Sequence, residues 1–206
     1  MAQVLKTEIR EAIIKAAKEE FADKGFKEAS MRSIADKVGV TVGNLYRYFE
    51  SKEKLFGAIT DQSLEDLQKI LSRYNSSRLP MQTRVFNVKA ELNDLCQLLE
   101  DFADELYALF LKDQKTFMIM FNDEKIARQI ISWFASMIES LIFQFYLFPE
   151  DRKTGEMLLQ AHAHSLFAGM KALFQQEETK NMPDVLKIYL KSYIIMLDNK
   201  IGKQVV

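Results

Sequence analysis

Apolar residues recur along this chain at intervals of three and four, which is the spacing of an amphipathic helix. No stretch shows the sustained alternation of apolar and polar positions that is typical of a strand. Residues that break helices are scarce, with 7 Gly and 3 Pro among 206 residues, whereas Phe and Met number 15 and 10. The pattern therefore predicts an all-α fold.

Four helices are predicted in the N-terminal third. The first runs from Thr7 to Lys24, with Thr7 as its cap. Two short helices and a tight turn then occupy 30–49. Ser51 is placed to cap a fourth helix that runs to about Tyr74.

A polar break at 75–80, which ends in a proline, separates two predicted domains. The first spans 7–67, and the second spans 75–206. Apolar residues at helical spacing predict five helices in the second domain, at 92–109, 113–122, 123–148, 149–178 and about 181–202.

The stretch from Ser30 to Phe49 predicts a helix-turn-helix. Ser30 and Thr41 are each placed to cap a short helix, and Gly39 lies where the first of these helices must stop, at a position that suits positive φ. Leu45 and Phe49 lie four residues apart and are expected to be buried together. The second short helix is therefore expected to present a polar and aromatic face to solvent.

Residues 14–56 resemble the N-terminal domain of the TetR family of bacterial transcriptional repressors. The matching residues are Ala17, Phe21, Gly25, Phe26, Ser30, Ile34, Ala35, Gly39, Val40, Thr41, Gly43, Leu45, Tyr46, Phe49 and Ser51 to Leu55. The chain departs from the family pattern at Ala29, where many members have Thr, and at Tyr48, where His is frequent.

The resemblance implies a ligand-responsive transcriptional regulator, most simply a repressor. Such a protein binds a palindromic operator in double-stranded DNA as a homodimer and is released by a small effector, here expected to be lipophilic. An architectural or division-linked DNA-binding protein of the same fold, without an effector, is the alternative. A helical carrier or an enzyme is disfavoured by Tyr46, Lys52 and the turn at Gly39.

Contacts to DNA divide into those that position the protein and those that read bases. The residues expected at phosphates are Ser30, Tyr46, Tyr48 and Lys52, with Arg32 and Arg47 at either phosphates or bases. Thr41, Val42 and Asn44 lie at the entering end of the second short helix and are expected to read bases. Asn44 carries the donor and acceptor pair that matches adenine, and Gly43 lets the backbone approach the groove.

The second domain is expected to carry the effector pocket and the dimer interface that the resemblance implies. Aromatic and Met side chains are the candidates for the pocket: Phe102, Phe110, Phe117, Phe121, Trp133, Phe134 and Met137. A stripe of small residues and a facing apolar stripe are the candidates for the interface: Ala161, Ser165, Ala168, Gly169, Ala172, Ile188, Ser192 and Ile195. Periodicity alone supports internal packing equally well, and the resemblance favours the interface.

Composition narrows the function further. The formal net charge is −1, but residues 1–60 carry 11 Lys and Arg against 9 Asp and Glu, a balance of +2. His162 and His164 point about 200° apart on a helix and cannot share a metal ion, so no cofactor or metal is predicted. No catalytic constellation is evident, which argues against an enzyme. A single cysteine, Cys96, fits a reducing cytoplasm, and no run is apolar enough to predict a membrane span.

Overall fold

The computed structural model describes residues 2–76, 88–145, 152–176 and 180–201, and every regular element within these ranges is an α-helix. The all-α prediction is confirmed. The helices are α1 (Ala2–Glu28), α2 (Met31–Val38), α3 (Val42–Tyr48), α4 (Lys52–Ser76), α5 (Val88–Lys112), α6 (Gln114–Asn122), α7 (Glu124–Phe145), α8 (Arg152–Phe174) and α9 (Met182–Ile201).

Helix α1 differs from its predicted start. It begins at Ala2, so Thr7 lies inside the helix and is not its cap. The five residues before Thr7 include no Gly or Pro that would delay the helix. The predicted end is confirmed, because the regular helix is interrupted at Gly25, which has φ 71° and ψ 171°.

Two compact units make up the chain. The head unit contains Met1–Asp66 and Asp113–Ala127, and the C-terminal unit contains Leu67–Lys112 and Arg128–Val206. The first segment of the head unit ends at Asp66, next to the predicted domain end at residue 67. Residues 113–127, which the sequence analysis placed in the second domain, group with the head unit. The predicted domain bounds stay predictions. The remainder of the predicted break, from residue 77, and Pro149 lie outside the described residues.

The head unit is built around a core contributed by α1, α2, α3, the first part of α4 and α6. Its fully buried apolar side chains include Ile13, Ile34, Leu45 and Leu55. Ile119 of α6 belongs to the same core, which explains physically why α6 groups with the head. Asp113, at the start of α6, also forms an ion pair with Lys18 of α1.

The C-terminal unit has an apolar interior formed mainly by long side chains. Phe102, Leu106 and Phe134 are completely buried, and the rings of Phe110 and Phe174 pack with centroids 4.5 Å apart. Helix α9 packs along α5. An ion pair links the two helices: the Lys191 ammonium of α9 lies 2.6 Å from the Glu100 carboxylate of α5.

Candidate nucleic-acid interface

Three local devices shape the helix-turn-helix. Ser30 caps α2, since its hydroxyl accepts a hydrogen bond from the Ser33 amide at 3.4 Å. Gly39 ends α2 in the left-handed region with φ 74°, a conformation that glycine adopts without steric cost. Thr41 caps α3 by accepting from the Asn44 amide at 3.1 Å. All three predictions are confirmed.

The buried side of α3 fixes which face is available to a ligand. Leu45 and Phe49 are 0% and 5% exposed, as predicted. The opposite side exposes Tyr46, at 45%, and also Arg47. This exposed side has the polar and aromatic character predicted from sequence, and it extends along both turns of the helix.

Residues at the entering end of α3 remain accessible. Thr41 and Gly43 are exposed, whereas Val42 and Asn44 are half-buried. A Cβ atom added to Gly43 would meet no heavy atom within 4 Å. The protein itself therefore leaves room at Gly43, and the space beside this backbone is open to a bound partner.

A buried carboxylate that the sequence analysis missed joins α1 to α2. The Glu20 side chain is completely buried, and its oxygens accept four hydrogen bonds. The donors are the Lys24 ammonium at 2.8 Å, the Ser33 hydroxyl at 2.9 Å, the Lys37 ammonium at 2.9 Å and the Ser30 amide at 3.4 Å. A signal did exist in the sequence, since Glu20 lies at helical spacing on the same face as Ile13, Ala16 and Ala17.

This arrangement keeps Glu20 charged. Burial by itself raises the pKa of the Glu20 carboxyl, but the hydrogen bonds from its four donors outweigh burial and lower the pKa to about 2. The carboxylate therefore anchors the start of α2 over the whole neutral range. It also forms ion pairs with Lys24 and Lys37.

Lys52 makes contacts within the head that the sequence analysis did not predict. Its ammonium donates to the carbonyl oxygens of Lys27 at 3.1 Å and Ala29 at 3.0 Å, and it lies 4.8 Å from the centroid of the Phe26 ring. Carbonyls at a helix end lack partners within the helix, so Lys52 supplies the missing donors. The contact spans about 25 residues of sequence, and no local pattern predicts it.

The head unit therefore contains two kinds of cation. Lys18, Lys24, Lys27, Lys37 and Lys52 are each bound to a carboxylate or to backbone carbonyls. Arg32 and Arg47 are exposed, and within the described part of the chain neither has a carboxylate partner. Unlike Lys52, these two predicted contacts make no hydrogen bond to the protein in the described part of the chain.

Two other predicted contacts keep a hydroxyl that can donate. Tyr48 is half-buried at the end of α3, and Ser30 is half-buried at the start of α2. The Ser30 hydroxyl already accepts a capping bond, which leaves its proton available for an acceptor such as a phosphate oxygen.

The predicted interface residues on α8 and α9 differ in their exposure in the structure. Five of them, Ala161, Ser165, Ala168, Ala172 and Ser192, are exposed, as is Ile188 at 66%. Gly169 instead contacts α9 of the same chain, because a Cβ there would lie 1.9 Å from the Tyr189 hydroxyl oxygen. Gly169 therefore packs within its own chain, and its place in the dimer interface stays a prediction. The side chain of Ile195 lies outside the described residues.

The predicted pocket residues are also divided. Phe102, Phe110, Phe134 and Met137 are buried in the C-terminal unit, and Trp133 is half-buried there. Phe117 and Phe121 belong to the head unit, where their rings stack with centroids 4.5 Å apart.

No cluster of three or more His, Cys, Asp or Glu residues in the described ranges has the arrangement of a metal site. No described helix combines the length and apolar character needed to cross a bilayer.

Comparison with known proteins locates the strongest likeness in the head. Residues 13–59 match the family model described as bacterial regulatory proteins, tetR family. The regulator UidR of Escherichia coli is 40% identical over 65 residues, which is 32% of each chain. The nucleoid occlusion factor SlmA of Mannheimia succiniciproducens is 28% identical over 135 residues, which is 66% of this chain and 57% of SlmA. The chain thus spans about a third to just over half of the length of these curated relatives.

The likeness to solved structures extends further along the chain. A TetR-like transcriptional regulator from Rhodococcus is 20% identical and superposes with a TM-score of 0.53, over 91% of this chain and 96% of the other. An identity this low speaks for the fold alone. Fold and site together define an all-helical protein with an N-terminal helix-turn-helix. Residues 13–59 of this chain carry the pattern of the tetR family of bacterial regulatory proteins, and most of the chain shares the fold of TetR-like regulators.

Proposed function

We propose that this protein is a ligand-responsive transcriptional repressor that acts in the cytoplasm on double-stranded DNA. The observation that carries the proposal is the exposed face of α3, where Tyr46, Arg47 and the open backbone at Gly43 lie together. An exposed helix with uncommitted positive charge is suited to the major groove and its flanking phosphates.

Roles follow from the position of each side chain. Ser30, Tyr46, Tyr48 and one or both of Arg32 and Arg47 bind phosphates. Thr41, Val42 and Asn44 read bases, because the N-terminal end of a recognition helix is the end that meets base edges. Asn44 is the residue best suited to adenine. Lys52 supports the site from behind.

Operator binding by a homodimer is part of this proposal. One helix-turn-helix contacts too little DNA to select a site in a genome, whereas two heads on a two-fold axis read a palindrome. The exposed stripe on α8 and the exposed apolar residues on α9, including Val185 and Ile188, support a self-complementary interface. A stripe of small side chains lets two helices approach closely.

An effector, in this proposal, binds among the aromatic side chains of the C-terminal unit. Phe102, Phe110, Trp133, Phe134 and Met137 are the proposed lining, and their apolar, partly polarisable surfaces suit a lipophilic molecule.

The relative SlmA favours a second candidate. It covers 66% of this chain, about twice the share that UidR covers, and it is named as a nucleoid occlusion factor. A division-linked protein of the same fold is therefore the alternative function. It would bind many sites dispersed over a chromosome and would need no small-molecule effector.

Selection from a pool of random duplexes tests the proposal. The repressor function predicts recovery of a palindrome, and genome-wide binding of the same protein should show a few sites at promoters. Asn44→Ala should relax the preference at one position of each half-site, at a cost of about 1–3 kcal/mol. Dispersed sites would favour the division-linked alternative, and no enrichment of any sequence would contradict both.

A further inference from the structure

Arg10 of α1 lies against the end of α3, although nothing in the helix-turn-helix pattern includes it. The central carbon of its guanidinium lies 5.2 Å from the centroid of the Phe49 ring. Phe49 is the residue that ends α3 and is itself buried, so the arginine is held where the recognition helix stops. We propose that Arg10 is a further phosphate contact of the DNA-binding surface, an inference that rests on the proposed function.

Arg10 is exposed, and within the described ranges its charge has no carboxylate partner. It is therefore in the same state as Arg32 and Arg47, whereas Lys18 and Lys24 on the same helix are bound to carboxylates. A cation that the fold leaves uncompensated can release counterions from DNA when it meets a phosphate.

The length of α3 is close to the width of the major groove. Helix α3 has seven residues, which makes it about 10 Å long, and the major groove is about 12 Å wide. When the N-terminal residues of α3 meet bases, its other end approaches the phosphates that border the groove. Tyr48, a proposed phosphate contact, directly precedes Phe49 in the chain. Arg10 is thus held at the end of α3 that faces the DNA backbone.

The guanidinium group of arginine is planar, so its face can stack on an aromatic ring while the N–H groups along its edge remain free to donate. The edge presents donors in a fork that matches two phosphate oxygens. The contact with the Phe49 ring therefore positions Arg10 without using the N–H groups that would bind DNA.

Lys15 provides a matched control. It is an exposed cation on the same helix without an ion pair in the described part of the chain, but it lies about 140° around α1 from Arg10. Arg10→Gln and Lys15→Gln remove the same charge from the same helix. Long-range electrostatics should affect the two variants alike, whereas a direct contact affects only Arg10→Gln.

The experiment measures the affinity of the full-length protein for a selected palindrome and for a random duplex over a range of salt concentrations. Arg10→Gln should lower the slope of log K against log salt by about 1.8 on both duplexes, since each of the two protomers loses one phosphate contact. Lys15→Gln should keep the wild-type slope, as should Arg10→Lys, which retains a cation.

Two results would overturn the inference. If Arg10→Gln keeps the wild-type slope, or changes it no more than Lys15→Gln does, then Arg10 makes no phosphate contact while the proposed function stands. If the wild-type protein binds neither duplex, the proposed function fails and this inference fails with it. Thermal unfolding followed by circular dichroism verifies that each variant is folded.

Discussion

The two units differ in how polar groups contribute to their interiors. In the head unit, Glu20, Thr60 and Thr116 are buried and hydrogen-bonded, and they include every buried polar or charged side chain of the described residues. Among the described residues of the C-terminal unit the buried side chains are apolar or aromatic, and the hydroxyl of the buried Tyr74 donates to the partly exposed Glu105. Its ion pairs, such as Lys187 with Asp104 at 2.7 Å, involve partly exposed groups.

This difference has a consequence for how strongly each unit constrains its sequence. A buried polar group is tolerated only when its partners lie at the right places, so the head requires particular residue types at fixed positions. An apolar helical interior accepts many combinations of similar volume. The family model matches residues 13–59, which include Glu20, whereas likeness over most of the chain is seen at 20–28% identity.

The largest effect is expected from a charge placed on the outer face of α8. Ala168→Arg should bring two arginines together across the proposed two-fold axis, and an unpaired buried charge costs several kcal/mol. The dimer should dissociate, and affinity for the palindrome should fall at least about 1,000-fold, toward that of non-specific DNA. Light scattering measures the mass directly.

Ala108→Arg is the control for that experiment, because Ala108 is an exposed alanine of α5 and makes no part of the proposed interface. It should leave the mass and the affinity unchanged. A variant Ala168→Arg that keeps the wild-type mass would mean that this face of α8 does not join two protomers, and the C-terminal unit would lose its proposed role in assembly.

The next effect tests the polar interior of the head. Glu20→Gln removes a carboxylate whose pKa is lowered from 4.5 to about 2, a difference equivalent to about 3 kcal/mol of the free energy of unfolding. Urea unfolding should show a loss of that order at neutral pH. Glu19→Gln, at the exposed neighbouring position, should change stability by less than about 0.5 kcal/mol.

The pH dependence of this loss has a defined sign. A carboxylate with a lowered pKa stabilises the protein fully above its ordinary pKa, and that contribution disappears as the pH falls toward the lowered value. The difference in stability between wild type and Glu20→Gln should therefore be constant above about pH 5 and shrink between pH 4.5 and about 2. A difference that stays constant through this window would show that the Glu20 charge does not stabilise the head.

Replacing either of two helical glycines, one in each unit, by alanine is expected to change the free energy of unfolding, and the two changes should have opposite signs. An alanine at Gly169 would place its Cβ 1.9 Å from the Tyr189 hydroxyl oxygen and 2.3 Å from Cζ, so Gly169→Ala should cost about 1–3 kcal/mol. At Gly57 the close neighbour is the mobile carboxylate of Asp61, and Gly57→Ala should stabilise by about 0.5–1 kcal/mol. Thermal unfolding measures both.

Removing the Tyr189 ring tests whether its collision with the added Cβ causes the loss of stability in Gly169→Ala. In a Tyr189→Leu background, Gly169→Ala should lose most of its cost, since the colliding atoms are gone. A full cost in that background would indicate that the contact between α8 and α9 does not depend on this ring.

Local patterns were sufficient to predict the helix-turn-helix. The caps at Ser30 and Thr41 and the turn at Gly39 are set by neighbouring residues, so their chemistry is visible in sequence. Glu20 was not identified because a glutamate on a helix is usually solvated, and its partners lie as far as 17 residues away.

Long-range contacts account for the other differences. The role of Lys52 depends on carbonyls at the end of α1, and that of Gly169 depends on a ring about 20 residues further along the chain. The placement of α6 in the head depends on Ile119 filling a core formed by other helices. None of these pairings leaves a periodic signal, and so the sequence could not reveal them.

The central claim is that the internal contacts of the head determine which cations remain for DNA. The most direct test compares Arg47→Met with Lys52→Met by measuring the salt dependence of binding to the selected palindrome together with the free energy of unfolding. Arg47→Met should lower the salt slope by about 1.8, since each of the two protomers loses one phosphate contact, with little change in stability. Lys52→Met should keep the slope and lose about 1–3 kcal/mol of stability. A slope that falls equally in both variants, without a loss of stability in Lys52→Met, would contradict the claim and assign Lys52 to a phosphate.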